Sequence, residues 1–314
     1  MELLPMKYTS VNRLLSQNKR IMSELLISHQ KGKELIFAFL LVISSSLSLK
    51  IANNNERWRI ITYKTMFRTG FFLILSIIML MFSSAKRRNV VRHKLNVRST
   101  NSHYARMKVF FISDIHRRKI DRKLLKKIDK DIDIVIIGGD LAERGVSLSR
   151  ISTNIRNLST LAPVYYIWGN NDREAGERAI RLIMARNGCV ILDNENFPVP
   201  GHPTWGISGT DDPTTEDVDI GASLQNINQY NHVIFASHQP RVLREVEQFY
   251  RPTLMLAGHT HGGQIRIGKF GLLEKGKFQK NSTRGKLISN GYGTSTVPLR
   301  LGAPAECHII TIDC

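Results

Sequence analysis

Five short motifs beyond residue 107 carry side chains able to hold metal ions: Ser113-Asp114-Ile115-His116, Gly138-Gly139-Asp140, Gly169-Asn170-Asn171-Asp172, Ser237-His238, and Gly258-His259-Thr260-His261-Gly262-Gly263-Gln264. Their donors are imidazoles, carboxylates and an amide, with no thiolate. That mixture suits borderline or hard divalent cations such as Mn²⁺, Fe²⁺ or Zn²⁺. Seven candidate ligands, Asp114, His116, Asp140, Asn170, His238, His259 and His261, exceed the needs of one ion. Two ions sharing a bridging carboxylate would use the whole set. Such a pair, roughly 3.5 to 4 Å apart, suits in-line displacement at phosphorus, because it supplies hydroxide near neutral pH and neutralises the phosphoryl oxygens. A lone histidine is more often a satisfied core residue, but five such clusters in series make coincidence remote.

What must position these residues is legible in the runs that precede them. Strand candidates fall at 108–112 (KVFFI), 134–137 (IVII), 164–167 (VYYI), 190–192, 232–236 (HVIFA), 253–256 and 307–312 (CHIITI). Most are continuously apolar, as strands covered on both faces are. Helical periods fall between them at 121–130, 147–158, 173–187, 215–229 and 240–249. Alternating strands and helices predict an α/β layered fold, with ligands held at the carboxyl ends of the strands. Trp168 and Trp205 read as core, and His202, His232 and His308 lack a partner motif and stay outside the site.

In this order, D-x-H, GGD, GN-x-D, SH and GHTHGGQ resemble the calcineurin-like metallophosphoesterases. The stretch Gly291-Tyr292-Gly293-Thr294 through Pro298-Leu299-Arg300-Leu301-Gly302 resembles their bacterial membrane-anchored phosphodiesterase-like subgroup. The resemblance covers residues 107–314 and implies a four-layered αββα sandwich. It further implies that Asp114, His116 and His261 bind one metal, that Asn170, His238 and His259 bind the other, and that Asp140 bridges them. Asn170 and Asp172 are the implied catalytic residues. One position departs from the pattern: the third motif usually reads G-N-H-[D/E], and here Asn171 stands where the histidine assists the leaving group. An amide supplies no proton, so either the substrates are those whose leaving group departs unaided or a bound water does the histidine's work, with Asn171 left as a substrate contact. Two functions follow. The first is a phosphohydrolase acting on a phosphodiester or pyrophosphate of a lipid or nucleotide; related family members cleave UDP-diacylglucosamine. The second is a metal-binding interaction module weakened by the loss of the histidine, against which the complete ligand set argues.

Charge and hydropathy organise the rest. Lys+Arg number 45 against 26 Asp+Glu, a net charge of +19. Residues 1–106 hold 18 and 4 of these, or +14, and residues 107–314 hold 27 and 22, or +5. The excess surrounds two apolar runs, 35–49 and 69–85. The chain therefore divides into a basic segment 1–34, a membrane region 35–85 with both runs as candidate helices, a basic juxtamembrane linker 86–106 and the metallophosphoesterase domain 107–314. A transmembrane helical region thus precedes the sandwich. Lys and Arg at both ends of the pair favour a hairpin with the catalytic domain in the cytoplasm at the cell membrane. Initiation at Met66, which would make the second run an export signal, is the alternative. Arg117 and Arg118 open a basic stretch directly after His116 and are expected to border the entrance, attracting an anionic substrate or an anionic phospholipid membrane. Nucleic acid is not an expected partner, because the basic excess lies around apolar segments. Three cysteines without a C-x-x-C exclude a disulfide framework and a cysteine zinc cluster.

Overall fold

The computed structural model describes residues 56–97 and 106–314, with side chains from Tyr63 onward. The basic segment 1–34 and the apolar run 35–49 lie outside the described residues. Two compact units are present, Met1–Phe72 and Leu73–Cys314.

Helix α1 (Glu56–Ala85) contains the second apolar run. Its span Tyr63–Ala85 is long and apolar enough to cross a membrane, and its most apolar stretch is not buried in the protein. At 1.5 Å per residue those 23 residues reach about 34 Å, against roughly 30 Å of bilayer hydrocarbon. Phe71, Leu73, Met79, Leu80 and Phe82 are all exposed, whereas a core helix would bury them.

The strands that follow are β1 (Asn89–Asn96), β2 (Arg106–Ile112), β3 (Ile134–Gly138), β4 (Val164–Ile167), β5 (Val190–Ile191), β6 (Glu195–Val199) and β7 (His202–Gly209). Then come β8 (His232–Ala236), β9 (Leu254–Ala257), a hairpin of β10 (Arg266–Ile267) and β11 (Phe270–Gly271), β12 (Lys277–Lys280), β13 (Gly285–Ile288) and β14 (Glu306–Asp313). Among them lie α2 (Arg122–Leu125), α3 (Leu148–Ser159), α4 (Glu177–Arg186), α5 (Ile220–Ser223) and α6 (Pro240–Val246). One sheet runs β1-β14-β2-β3-β4-β5 and the other β12-β13-β9-β8-β7-β6. Strands β2 to β5 are mutually parallel, as are β7, β8, β9 and β13.

Alternation along the strands builds the layers. Val109, Phe111, Ile134, Ile136 and Tyr165 face inward and pack with Trp205, Ile207, Ile234 and Leu254 of the other sheet. Their neighbours Phe110, Ile112, Val135, Ile137 and Trp168 face outward onto Leu124, Ile151, Ile155, Ile180 and Met184 of the helices. On the far side Phe235 and Met255 pack against Val242, Leu243 and Val246 of α6. The result is the αββα sandwich, with Trp168 and Trp205 in its core.

Three expectations change. Residues 86–106 are not simply a linker, because β1 lies in them and pairs in parallel with β14. Only Leu95 of β1 is fully buried, while Arg92, Lys94 and Asn96 point outward, so the charges mask a strand with one wet face. Those charges are also spoken for: Arg88 pairs with Asp121, Arg92 with Asp129 and Lys94 with Asp313. The helix expected at 215–229 is broken into α5 between two short 3₁₀ turns, with Glu216 and Asn226 at positive φ. The helix expected at 121–130 shortens to α2. Strands β6 and β7 carry no plain strand signal in the sequence because Pro198 and the glycines 206 and 209 look like breakers; β6 is an edge strand, where a proline is tolerated.

His308 on β14 is buried, with Nε2 2.9 Å from Ser289 Oγ and Nδ1 3.1 Å from His93 Nε2. Burial, then His93, pushes its pKa down to about 3. The unfolded chain, with a histidine pKa near 6.5, binds the proton first, so this contribution to stability is intact above about pH 6.5 and lost as pH falls toward 3. We expect the unfolding free energy of His308→Gln, read by urea titration, to fall less between pH 7 and 4 than that of the unsubstituted protein, by about a few kcal/mol at most.

Candidate metal centre

The ligand motifs sit where the strands of both sheets end, and their backbone is unusual. Asp114, His116, Asp140, His259 and His261 all have φ between 49° and 68°, a region that residues with side chains rarely enter. Such strain persists only where the surroundings enforce it, and it clusters at functional sites. Here Asp114 N–H donates to Gly139 C=O and His116 N–H to Asp140 C=O, both at 3.0 Å, stitching the first loop to the second. Gly139, at φ 81°, has no room for a side chain: a Cβ would lie 2.4 Å from His238 Nδ1.

Asp114, His116, Asp140 and His261 are all buried and bring one ligand atom each within 4.8 Å of one another. His116 Nε2 lies 3.1 Å from His261 Nε2, and His261 Nε2 lies 3.4 Å from Asp114 Oδ1. A second group gathers beside it. Asn170 Oδ1 is 3.2 Å from His238 Nε2 and 3.0 Å from His259 Nδ1, and those two nitrogens are 3.2 Å apart. Asp140 Oδ2 belongs to both groups, 3.6 Å from His116 Nε2 and 3.5 Å from His238 Nε2.

This donor set fits divalent cations. Among the described residues, neither Asp114 nor Asp140 is ion-paired with a lysine or arginine; their ionisable partners are histidines. Buried carboxylates are costly without a positive partner, and imidazole nitrogens 3.1–3.2 Å apart are close enough to converge on one ion. Burial opposes a charge on Asp140, but His238 outweighs it and holds the carboxyl well below its usual range. Burial likewise opposes charge on His238, yet Asp140 pushes that imidazole up to about 10. His238 Nδ1 bonds the Gly138 carbonyl at 2.9 Å, which leaves Nε2 toward the site. His261 moves the other way, down to about 4, through burial, His116 and Arg300.

The remaining expected residues are placed as follows. Asn171 directs its backbone N–H to Asp140 Oδ1 at 2.9 Å and its side-chain amide to Oδ2 at 2.8 Å, clamping that carboxylate. Asp172 is fully buried and accepts from Gly169 N–H and Ala142 N–H, tying the second and third motifs together. Burial, then Asp140, raises its pKa to about 7. Arg118 does not border the site as expected. Its guanidinium stacks 3.6 Å over the Tyr292 ring and donates to the carbonyls of Tyr292, Lys86 and Arg87, fastening the chain just beyond α1. Arg117 is exposed and pairs with Glu143. Two further residues stand behind the ligands. Glu143 lies 3.0 Å from His116 Nδ1, and buried Arg300 has Nη2 3.1 Å from His261 Nδ1 while donating to the Gly293 and Ala303 carbonyls. Nothing marks Glu143 in the sequence; Arg300 stands in the quoted PLRLG stretch.

Residues 107–263 match the family model described as calcineurin-like phosphoesterase. The chain belongs to that family. It is therefore a metal-dependent phosphoester hydrolase by descent, and the cluster above is its candidate metal centre. It is 43% identical over 208 residues to the uncharacterized protein YpbG of Bacillus subtilis, covering 65% of this chain and 80% of the relative. The phosphodiesterase YaeI of Escherichia coli is 27% identical over 191 residues, 57% of this chain and 68% of YaeI. A bovine transmembrane protein with a metallophosphoesterase domain is 26% identical over 230 residues, and this chain spans 51% of it.

In this phosphoesterase Glu143 stands 3.0 Å behind His116 Nδ1, placed to support that imidazole. Losing such a partner typically lowers metal affinity by roughly 10- to 100-fold. We expect that loss for Mn²⁺ titrated calorimetrically into Glu143→Gln, with the fold retained by circular dichroism.

Proposed function

We propose that this chain is a membrane-anchored phosphohydrolase that cleaves a phosphodiester or pyrophosphate bond with two divalent ions. The observation that carries this reading is Asp140 Oδ2, which faces His116 of one ligand group and His238 of the other. Asp114, His116 and His261 would hold one ion, and Asn170, His238 and His259 the other, with Asp140 shared. Bound divalent ions supply Lewis acidity toward the phosphoryl oxygens and a nucleophile near neutral pH.

The chain's own residues do the positioning. Asn171 and Asn170 keep Asp140 and the two imidazoles in register, and Asp172 spends both oxygens on backbone N–H groups. Neither amide offers a proton to a departing alkoxide. Substrates with a stable leaving group, a nucleotide or a pyrophosphate, are therefore preferred, and a lipid-linked one such as UDP-diacylglucosamine suits a chain carrying α1. Exposed Arg117 adds positive charge beside His116 for an anionic substrate. Lys86 and Arg87, directly after α1, favour a cytoplasmic catalytic domain; an exported one is the other outcome.

The full chain with Mn²⁺ should hydrolyse nitrophenyl diesters, nucleotides or UDP-diacylglucosamine, and Asp140→Asn should abolish this. Indifference to that substitution overturns the two-ion reading. Asn171→His should raise turnover of diesters with alkyl leaving groups relative to nitrophenyl ones. The ceiling is the roughly 10²- to 10⁴-fold worth of a general acid. An unchanged ratio removes the leaving-group argument.

A further inference from the structure

Immediately beyond His261 the chain forms the β10–β11 hairpin, whose apolar side chains are turned to solvent. Ile267, Phe270 and Leu272 are 75%, 83% and 93% exposed, and Ile265 and Leu273 add to the same surface. Scattered exposed apolar residues are ordinary, but five within nine positions mark an interaction surface. Exposed Lys269 and Lys275 stand among them.

The hairpin is braced, not loose. Buried Arg266 donates to the carbonyls of Gly262 and Leu273 through Nη1, at 2.8 and 2.9 Å, and to that of Lys269 through Nη2 at 3.1 Å. Arg266 N–H bonds Leu301 C=O, and Leu301 N–H bonds Gln264 C=O. The preceding residue, Arg300, donates its N–H to Met81 C=O of α1 at 3.1 Å. Hairpin root, loop and helix end are thus continuous. Met81 lies four residues, about 6 Å, before the end of α1. Where α1 crosses a bilayer, the loop and the hairpin root stand at the headgroup boundary.

We propose that the β10–β11 hairpin is a membrane-docking element. It inserts Ile267, Phe270 and Leu272 into the edge of the bilayer that α1 crosses, sets Lys269 and Lys275 against headgroup phosphates, and holds the mouth of the metal centre on the lipid surface. This rests on the reading of α1 as a spanning helix. The partner is lipid for three reasons: the exposed apolar side chains sit on a hairpin, exposed Lys269 and Lys275 flank them while the acidic Glu274 is paired with Lys277, and the hairpin root is hydrogen-bonded through 300–301 to an exposed apolar helix.

The test uses the full chain in vesicles of phosphatidylcholine and phosphatidylglycerol with dibrominated acyl chains, compared with unbrominated ones. Phe270→Trp reports on the hairpin and Leu80→Trp on α1, each read above the signal of the three native tryptophans. Bromine should quench both added tryptophans to a comparable degree. Quenching at Leu80→Trp without quenching at Phe270→Trp overturns the docking proposal and leaves the anchor standing. No quenching at either position overturns both. A Phe270→Trp signal shielded from water yet untouched by bromine means that protein covers the hairpin, and also overturns the proposal.

Discussion

Asp114 and Asp140 are carboxylates taken out of water and surrounded by imidazoles, with no lysine or arginine in ion-pair contact among the described residues. Leaving such charge uncompensated in a low-dielectric interior is expensive, and the rest of the site is arranged around it. Ser113 Oγ and His259 N–H bond Asp114, and Asn171 donates twice to Asp140. The left-handed backbone at five of the ligand positions turns donors inward that an ordinary strand end would splay apart. That geometry costs energy, and two fully packed sheets behind it are what can sustain it.

The same constraint explains the fold's asymmetry of detail. Strands β2, β3 and β4 are apolar on both faces, because one face meets the opposite sheet and the other meets helices. Their chemistry can therefore only appear at their ends. Strand β1, at the sheet edge, carries charge instead, and its Arg92 and Lys94 pair with acidic residues of the domain. The membrane-directed charge is correspondingly smaller than the sequence total suggests.

Replacing the usual histidine by Asn171 reshapes the third motif without opening it. The amide closes on Asp140, and Asp172, freed from orienting an imidazole, braces two loops from below. A site built this way invests in holding its ligands and leaves protonation of the leaving group to the substrate's own chemistry. Arg300 links this rigidity to the helix, since its side chain contacts His261 and its N–H meets α1.

Residue types and local periods made much of this legible. The ligand identities, their order, the strand before each one and the apolar helix are all local properties of the chain, written over a few residues at a time. Strands with prolines or glycines, or with one charged face, were hidden because their burial depends on neighbours far away in sequence. The grouping of the ligands was likewise beyond local reading. His238 reaches Gly138 across 100 residues, and His259 reaches Asp114 across 145. So the sequence alone determined that this protein holds divalent metal for phosphate chemistry. Only the tertiary structure decided that Asp140 stands between two ligand groups, that Arg118 fastens the chain beyond α1, and that Glu143 and Arg300 stand behind the centre. Those roles arise from which loops the two sheets bring together, and no short window of sequence contains that information.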